Sequence, residues 1–428
     1  MIRPFLLSRR PEIVPMAVVG ALCLAALGLW LVRASDAKER KLQAPTVVQT
    51  RAAVAVPKPA PPPKLTPQNL AQARPDGHGG LTVHTPAGEA PLTIDANLQA
   101  AITAELDRQH VPYAAVVLLE PRTGAIRAIV EHREPDDPVG LIGSLVAPLV
   151  PAASVFKVVT SAALLEAGQS PETRVCFHGG KHGIDASLLT PGPRDNQCQT
   201  LTEALAHSTN AAFARLALEH LKPGDLARMA QRLGFGQGFQ SDLDVQPSHI
   251  DEGTTALERG RCAPGFAGST LSPVHAAFLA ATVANGGLAM RPTLLASQQA
   301  PTPLGQLLPA AVAMELGQMM QQTVVAGTGR HAFGQRPASL RGMAIAGKTG
   351  SLSGDDPAVY RHFSWFIGFA PADDPQIAVA ALAINGLKWK TKGPVLARDA
   401  LALYFAGNHH VADAASHTRG VDARPAHD

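Results

Sequence analysis

The β-like runs of this chain are split into two groups. Two lie close together, "YAAVVLLE" from Tyr113 and "AIRAIVEH" from Ala125, joined by the turn "PRTG". Three come much later: "MAIAGKTGSLS" from Met343, "FSWFIGFAPA" from Phe363 and "QIAVAALAIN" from Gln376. Short connections of this kind favour antiparallel neighbours. Between the groups the pattern is helical, as in "AAFARLALEHL", "SPVHAAFLAATVANGG" and "AAVAMELGQMMQQTV". The expected fold class is therefore α+β: a five-stranded antiparallel sheet flanked by helices, with the helical block as a second lobe. A ligand belongs in the cleft between sheet and lobe.

The N-terminal end reads differently. No residue from Ile13 to Val32 is charged, and Arg3, Arg9 and Arg10 precede the run. About 20 such residues cross a hydrocarbon core of ~30 Å as a helix. Trp30 falls near the far end, where interfacial aromatics collect. The rival reading, a cleaved signal peptide, has a shorter apolar core of ~7–15 residues and a small-x-small site after it. "LVRASDAKER" offers no clean site of that type. The expectation is a cytoplasmic leader over 1–12 and a single transmembrane helix over 13–32, with the rest on the outer side of the cytoplasmic (inner) membrane. "VAVPKPAPPPKLTPQ" favours extended polyproline conformations, so 33–91 reads as a Pro/Ala-rich stalk. The folded domain is expected over 92–408, followed by a disordered His-rich tail over 409–428.

Composition removes some classes of function. A net charge of +3, with no Lys/Arg block interleaved with aromatics, gives no support for nucleic acid as a partner. Four cysteines form no C-x-x-C pair and H-E-x-x-H is absent, so neither a metal site nor a cofactor is expected.

Three short stretches could carry chemistry. "PAASVFKVVTSAALLEAG" places Ser154 and Lys157 three apart at the expected start of a helix, on one face. A serine hydroxyl needs a base, and a lysine serves only where burial or a nearby positive charge lowers its pKa. Val155, Phe156, Val158 and Val159 suit that burial. The same spacing recurs at Ser35 and Lys38, in a stretch with no core, so by itself it equally fits a helix-starting serine beside a surface lysine. Ser208-Thr209-Asn210 interrupts two helices, where a hydroxyl and a carboxamide could relay a proton and hold an amide. A plain turn with an N-cap has the same composition. Gly347-Lys348-Thr349-Gly350-Ser351 ends an apolar strand start. Its lysine and hydroxyl could bind a carboxylate, and its glycines could let a substrate backbone lie alongside. A bulge bearing a surface lysine reads the same way.

Taken together and in order, Ser-x-x-Lys, Ser-x-Asn and Lys-Thr-Gly resemble the signature of penicillin-binding proteins and serine β-lactamases. From about Thr93 to Ala406 the chain resembles the transpeptidase domain of penicillin-binding proteins, through "TIDANLQ", "VVLLEPRTGAIRAIV", "VVAGTGRHAF" and "SWFIGFAPADDPQIAVAALAIN" as well. The resemblance implies a serine D,D-transpeptidase that cross-links peptidoglycan stem peptides ending in D-Ala-D-Ala, with β-lactams as inhibitors. It implies Ser154 as nucleophile, Lys157 as proton acceptor and Ser208 as relay to the leaving group. Asn210 would hold the acyl-side amide, Lys348 would supply positive potential, and Thr349, next to Gly350, would bond the terminal carboxylate. The N–H groups of Ser154 and Ser351 would form the oxyanion hole.

The chain also departs from the family pattern. Many relatives carry Pro-Gly-Ser before the nucleophile, whereas Ala153 stands here, and Ser351 replaces a common threonine. The span from Arg33 to Pro91 is too short for a glycosyltransferase or pedestal domain, so a separate glycan polymerase is an expected partner. A D,D-carboxypeptidase would share all three motifs. A β-lactamase is less well matched, because Glu-x-x-Leu-Asn and Tyr-Gly-Asn are both absent. A non-catalytic sensor or scaffold would be expected to carry an output domain or a lost motif residue. Outside the membrane, Cys176 and Cys198, which bracket a loop-rich insertion, could form a disulfide; the plainer reading leaves them as small apolar residues.

Overall fold

Folded structure begins well before residue 92. The computed structural model describes residues 64–86, 88–137, 144–180, 183–355 and 360–419. The leader, the anchor over 13–32 and the first part of the stalk lie outside these residues. Leu65 is buried, and its backbone bonds to the Asp242 carbonyl at 2.6 Å and the Asp244 N–H at 2.8 Å. A one-turn helix, Pro67–Ala71, is capped by Thr66. It is followed by the antiparallel pair β1 (Gly80–Thr85) and β2 (Gly88–Asp95). The stalk expected to residue 91 is thus corrected from Lys64 onward. "LTVHT" alternates, burying Val83 and Thr85, and that period-two signal outweighs the proline-rich composition before it.

Helix α1 (Ala96–Gln109) starts where the Asp95 carboxylate accepts from the Leu98 N–H at 3.0 Å. Its Leu98, Ile102 and Leu106 repeat every four residues and face the sheet. Strands β3 (Tyr113–Leu119) and β4 (Ile126–Arg133) form the expected hairpin. The helical lobe contains α2 (Lys157–Glu166), the ribbon β5 (Arg174–Phe177) and β6 (Gln197–Thr200), α3 (Leu201–His207) and α4 (Asn210–His220). It continues with α5 (Asp225–Arg232), α6 (Ala256–Cys262), α7 (Pro273–Ala284) and α8 (Ala310–Val325). Strands β7 (Ala346–Asp355), β8 (Tyr360–Ala370) and β9 (Ile377–Asn385) then return, and α9 (Gly393–Arg419) closes the described chain.

The sheet has the order β7-β8-β9-β3-β4 and is antiparallel throughout. The early hairpin therefore docks on the last of the late strands. Every residue of β9 is buried, as expected for a strand covered on both faces. One face packs Val116, Val130, Phe366 and Val379 against α1 and α9. The other packs Val117, Ile129, Trp365 and Ile367 against the lobe. Strand β7 is an edge strand, so half of its backbone groups are free to face the cleft.

Helix α9 runs past residue 408 and into the stretch read as a tail. That stretch contains no proline to end the helix. Residues 420–428 lie outside the described set. Among the described residues no helix is long and apolar enough to cross a membrane.

Candidate active site

The segment that carries Ser154 is fixed from both sides. The Ala152 N–H donates to the Ser269 carbonyl at 3.1 Å, and the indole Nε1 of Trp365, on β8, donates to the Pro151 carbonyl at 3.0 Å. Between these ties the backbone turns sharply, and Ala153 takes a φ of +49°. A 3-10 turn, Ala153–Phe156, carries Ser154 into α2, so the expected helix start is a tighter turn that delivers Lys157 to the first α-helical position.

Lys157 is fully buried, beside apolar Val155, Phe156 and Phe213. Its Nζ lies 2.7 Å from Ser154 Oγ, 2.7 Å from Asn210 Oδ1 and 2.9 Å from the Pro264 carbonyl. A neutral amine has two N–H bonds and one lone pair. Asn210 Oδ1 and the Pro264 carbonyl can only accept, so they take the two N–H bonds. The lone pair is left for the Ser154 hydroxyl. Burial, and then the charge of Lys348, holds the Lys157 amine well below the usual lysine range. Geometry and electrostatics both suit Lys157 to accept a proton.

Ser208 ends α3 in the left-handed region, with φ of +58°, and Asn210 begins α4. This break aims the Ser208 hydroxyl at the sheet, where it accepts from Lys348 Nζ at 2.9 Å. Lys348 also donates to the Thr349 carbonyl at 2.7 Å. It is fully buried on β7, opposite Ile367, and burial pushes its pKa down to about 7. The two lysines and two serines thus form the pairs Ser154–Lys157 and Ser208–Lys348, facing across the cleft.

The remaining motif residues line the strand edge. Thr349 is mostly buried, and its hydroxyl bonds to that of Thr328. Ser351 is exposed. The glycines also have a packing role. A Cβ on Gly347 would lie 2.1 Å from the Phe366 ring, and one on Gly350 3.1 Å from both Trp365 and Val155. Their smallness lets β7 pack on β8 and on the turn that carries Ser154.

Two contributors escaped the sequence reading. The Pro264 carbonyl is a backbone atom and carries no residue signature. Thr328 sits inside the quoted "VVAGTGRHAF", but nothing in that stretch points it at Thr349; its N–H donates to the Ala206 carbonyl at 3.0 Å, and that bond sets the turn. Cys176 and Cys198 are disulfide-bonded across β5 and β6. Cys262 is a buried free thiol pushed up to about 12, chiefly by burial.

Known proteins carry the same architecture. The family described as penicillin binding protein transpeptidase domain matches residues 114–398. The peptidoglycan D,D-transpeptidase PbpA of Mycolicibacterium smegmatis is 31% identical over 315 residues, which is 64% of this chain and 62% of that protein. Stage V sporulation protein D of Bacillus subtilis is 26% identical, over 69% of this chain and 49% of its own length. The chain therefore spans less than two thirds of these relatives. Among solved structures, the imipenem acyl-enzyme complex of penicillin-binding protein A from M. tuberculosis superposes with a TM-score of 0.60. It is 25% identical and covers 74% of this chain and 79% of that one. With the family's domain matched across the sheet, the lobe and all three motifs, this chain belongs to the penicillin-binding protein transpeptidase family.

Proposed function

We propose that this protein is a serine D,D-transpeptidase that cross-links peptidoglycan through an acyl-enzyme on Ser154. The observation that carries the reading is the buried Lys157 amine, 2.7 Å from Ser154 Oγ and otherwise met by two acceptor-only neighbours. Ser154 Oγ attacks the carbonyl of the D-Ala-D-Ala bond while its proton passes to Lys157. Ser208 delivers a proton to the departing D-Ala amine and regains one from Lys157, which returns to its neutral form, while Lys348 polarises Ser208. Thr349 and Thr328 present a pair of hydroxyls to the terminal carboxylate, with the charge of Lys348 behind them. Backbone N–H groups at Ser154 and Ser351 receive the oxyanion, where one donor is worth roughly 3–4 kcal/mol in comparable sites. An acceptor amine then attacks the acyl-enzyme, with Lys157 again taking the proton.

The uncharged run over 13–32 supports a single membrane anchor that places this domain outside the cytoplasmic membrane. A separate glycan polymerase would supply the strands. The reading is tested by incubating the protein with a donor peptide ending in D-Ala-D-Ala and an amine acceptor, then weighing the products. Cross-linked peptide is expected. Release of D-Ala with only hydrolysed donor would make the protein a carboxypeptidase. An intact donor, together with rapid β-lactam hydrolysis, would make it a β-lactamase.

A further inference from the structure

The insertion between α2 and α3 ends against the active site. Directly after β5 the chain runs His178-Gly179-Gly180, and both glycines have positive φ, +58° and +74°. A Cβ on Gly180 would stand 2.6 Å from that of Ala211, so the turn lies flat on the start of α4. There the Gly180 carbonyl accepts from Asn210 Nδ2 at 3.2 Å. The other end of the same amide, Oδ1, is the acceptor for Lys157.

A buried ionic group holds this turn in place. Arg215 on α4 and Asp195 have side chains only 3% and 8% exposed. The guanidinium donates to both oxygens of Asp195, at 2.5 and 3.0 Å, and also to the Cys176 and Leu188 carbonyls. His178 donates from Nδ1 to Asp195 Oδ1 at 2.6 Å, and its ring is also largely buried. The carboxylate is held ionised by Arg215 first and His178 second, well below the usual range. The Cys176–Cys198 disulfide closes the ribbon from which the turn emerges. None of these residues belongs to the three catalytic motifs, yet together they connect to Asn210.

We propose that His178, held by Asp195 and Arg215, is a positioning residue for the reaction proposed above: it locks the Gly179–Gly180 turn so that Asn210 presents Oδ1, and not Nδ2, to Lys157. A flipped amide would donate into the lone pair that Ser154 needs. Arg215 and the disulfide fix the frame, and His178 is the link that can be cut without exposing a buried charge.

The proposal rests on the transpeptidase reading, and the test separates the two. The acylation rate by a fluorescent penicillin is measured on the full chain for wild type, His178→Ala, Asn210→Ala and the double variant. Loss of His178 slows acylation about tenfold or more, as a small misplacement of a reacting group does. In the Asn210→Ala background the same change has less than about twofold further effect, because the two act through one contact. His178→Asn keeps a donor near the Nδ1 position and restores the rate to within about threefold of wild type. Equal slowing in both backgrounds, or a wild-type rate in His178→Ala, would overturn the positioning role. A folded wild type that takes no label would overturn the transpeptidase reading, and the positioning role would fall with it.

Discussion

Ala153 occupies a position where the family pattern carries glycine, and its φ of +49° is a glycine conformation. An alanine held there costs about 1–2 kcal/mol, which the ties at Pro151 and Ala152 impose. Ala153→Gly should therefore raise stability by about 1 kcal/mol in a denaturant titration. A fall in the midpoint would show that the backbone there is relaxed. The lysines make a second case at this scale. Lys157 accepts a proton only when neutral, so acylation should rise from the acid side as it deprotonates. Lys348 titrates at about 7 and must be charged to attract a carboxylate, so the rate should fall again at higher pH. The charge of Lys348 also lowers the Lys157 pKa. Lys348→Gln removes that charge, so Lys157 keeps its proton to higher pH and the acid limb moves up, with a rate loss of about 10²-fold. An acid limb that stays put in a pH profile of penicillin acylation would mean the two amines do not sense each other.

The elements explain which parts of the site could be read in the sequence. Thr200 and Glu203 cap α3 reciprocally, at 3.1 and 2.8 Å, as the Thr-x-x-Glu spacing predicts. The break at Ser208 was visible because Ser, Thr and Asn crowd a point where helical periodicity fails. Strand runs and motif order together pointed to Ser154, Lys157, Ser208, Asn210, Lys348 and Thr349 as candidates, and the fold brings them to one cleft. The Pro264 carbonyl and the Gly180 carbonyl were not legible, since any residue supplies a carbonyl and only tertiary packing aims it. The ribbon of β5 and β6 was read only as loop, because strands of four residues are too short to show a period. Its disulfide joins residues 22 apart, a loop size for which removal costs ~3 kcal/mol. The double variant Cys176→Ala, Cys198→Ala should lose about that much in a denaturant titration, and an unchanged midpoint would mean the Arg215 network alone fixes the ribbon.

For the whole molecule, the boundary of the folded part is the main departure from the sequence reading. Proline content pointed to a stalk through residue 91, but Leu65 and Val83 are buried in the main core. Each such side chain contributes about 1.5–3 kcal/mol on burial. A chain starting at Lys64 should melt and acylate like the full-length domain, whereas one starting at Leu92 should melt lower or aggregate. Equal melting of the two would make the 64–91 segment an ornament. The five-stranded antiparallel sheet was legible because two early and three late strands with short connections flank one helical block, whereas the strand order was not read. That arrangement brings an edge strand, a helix start and a helix break to one cleft from three distant parts of the chain.

In the proposed reaction Ser154 is the acylated nucleophile. Intact-mass spectrometry after exposure to penicillin G, followed by peptide mapping, tests it directly. Wild type should gain the mass of one antibiotic on the peptide carrying Ser154, and Ser154→Ala should gain none. An adduct on a different residue, or one that persists in Ser154→Ala, would place the nucleophile elsewhere.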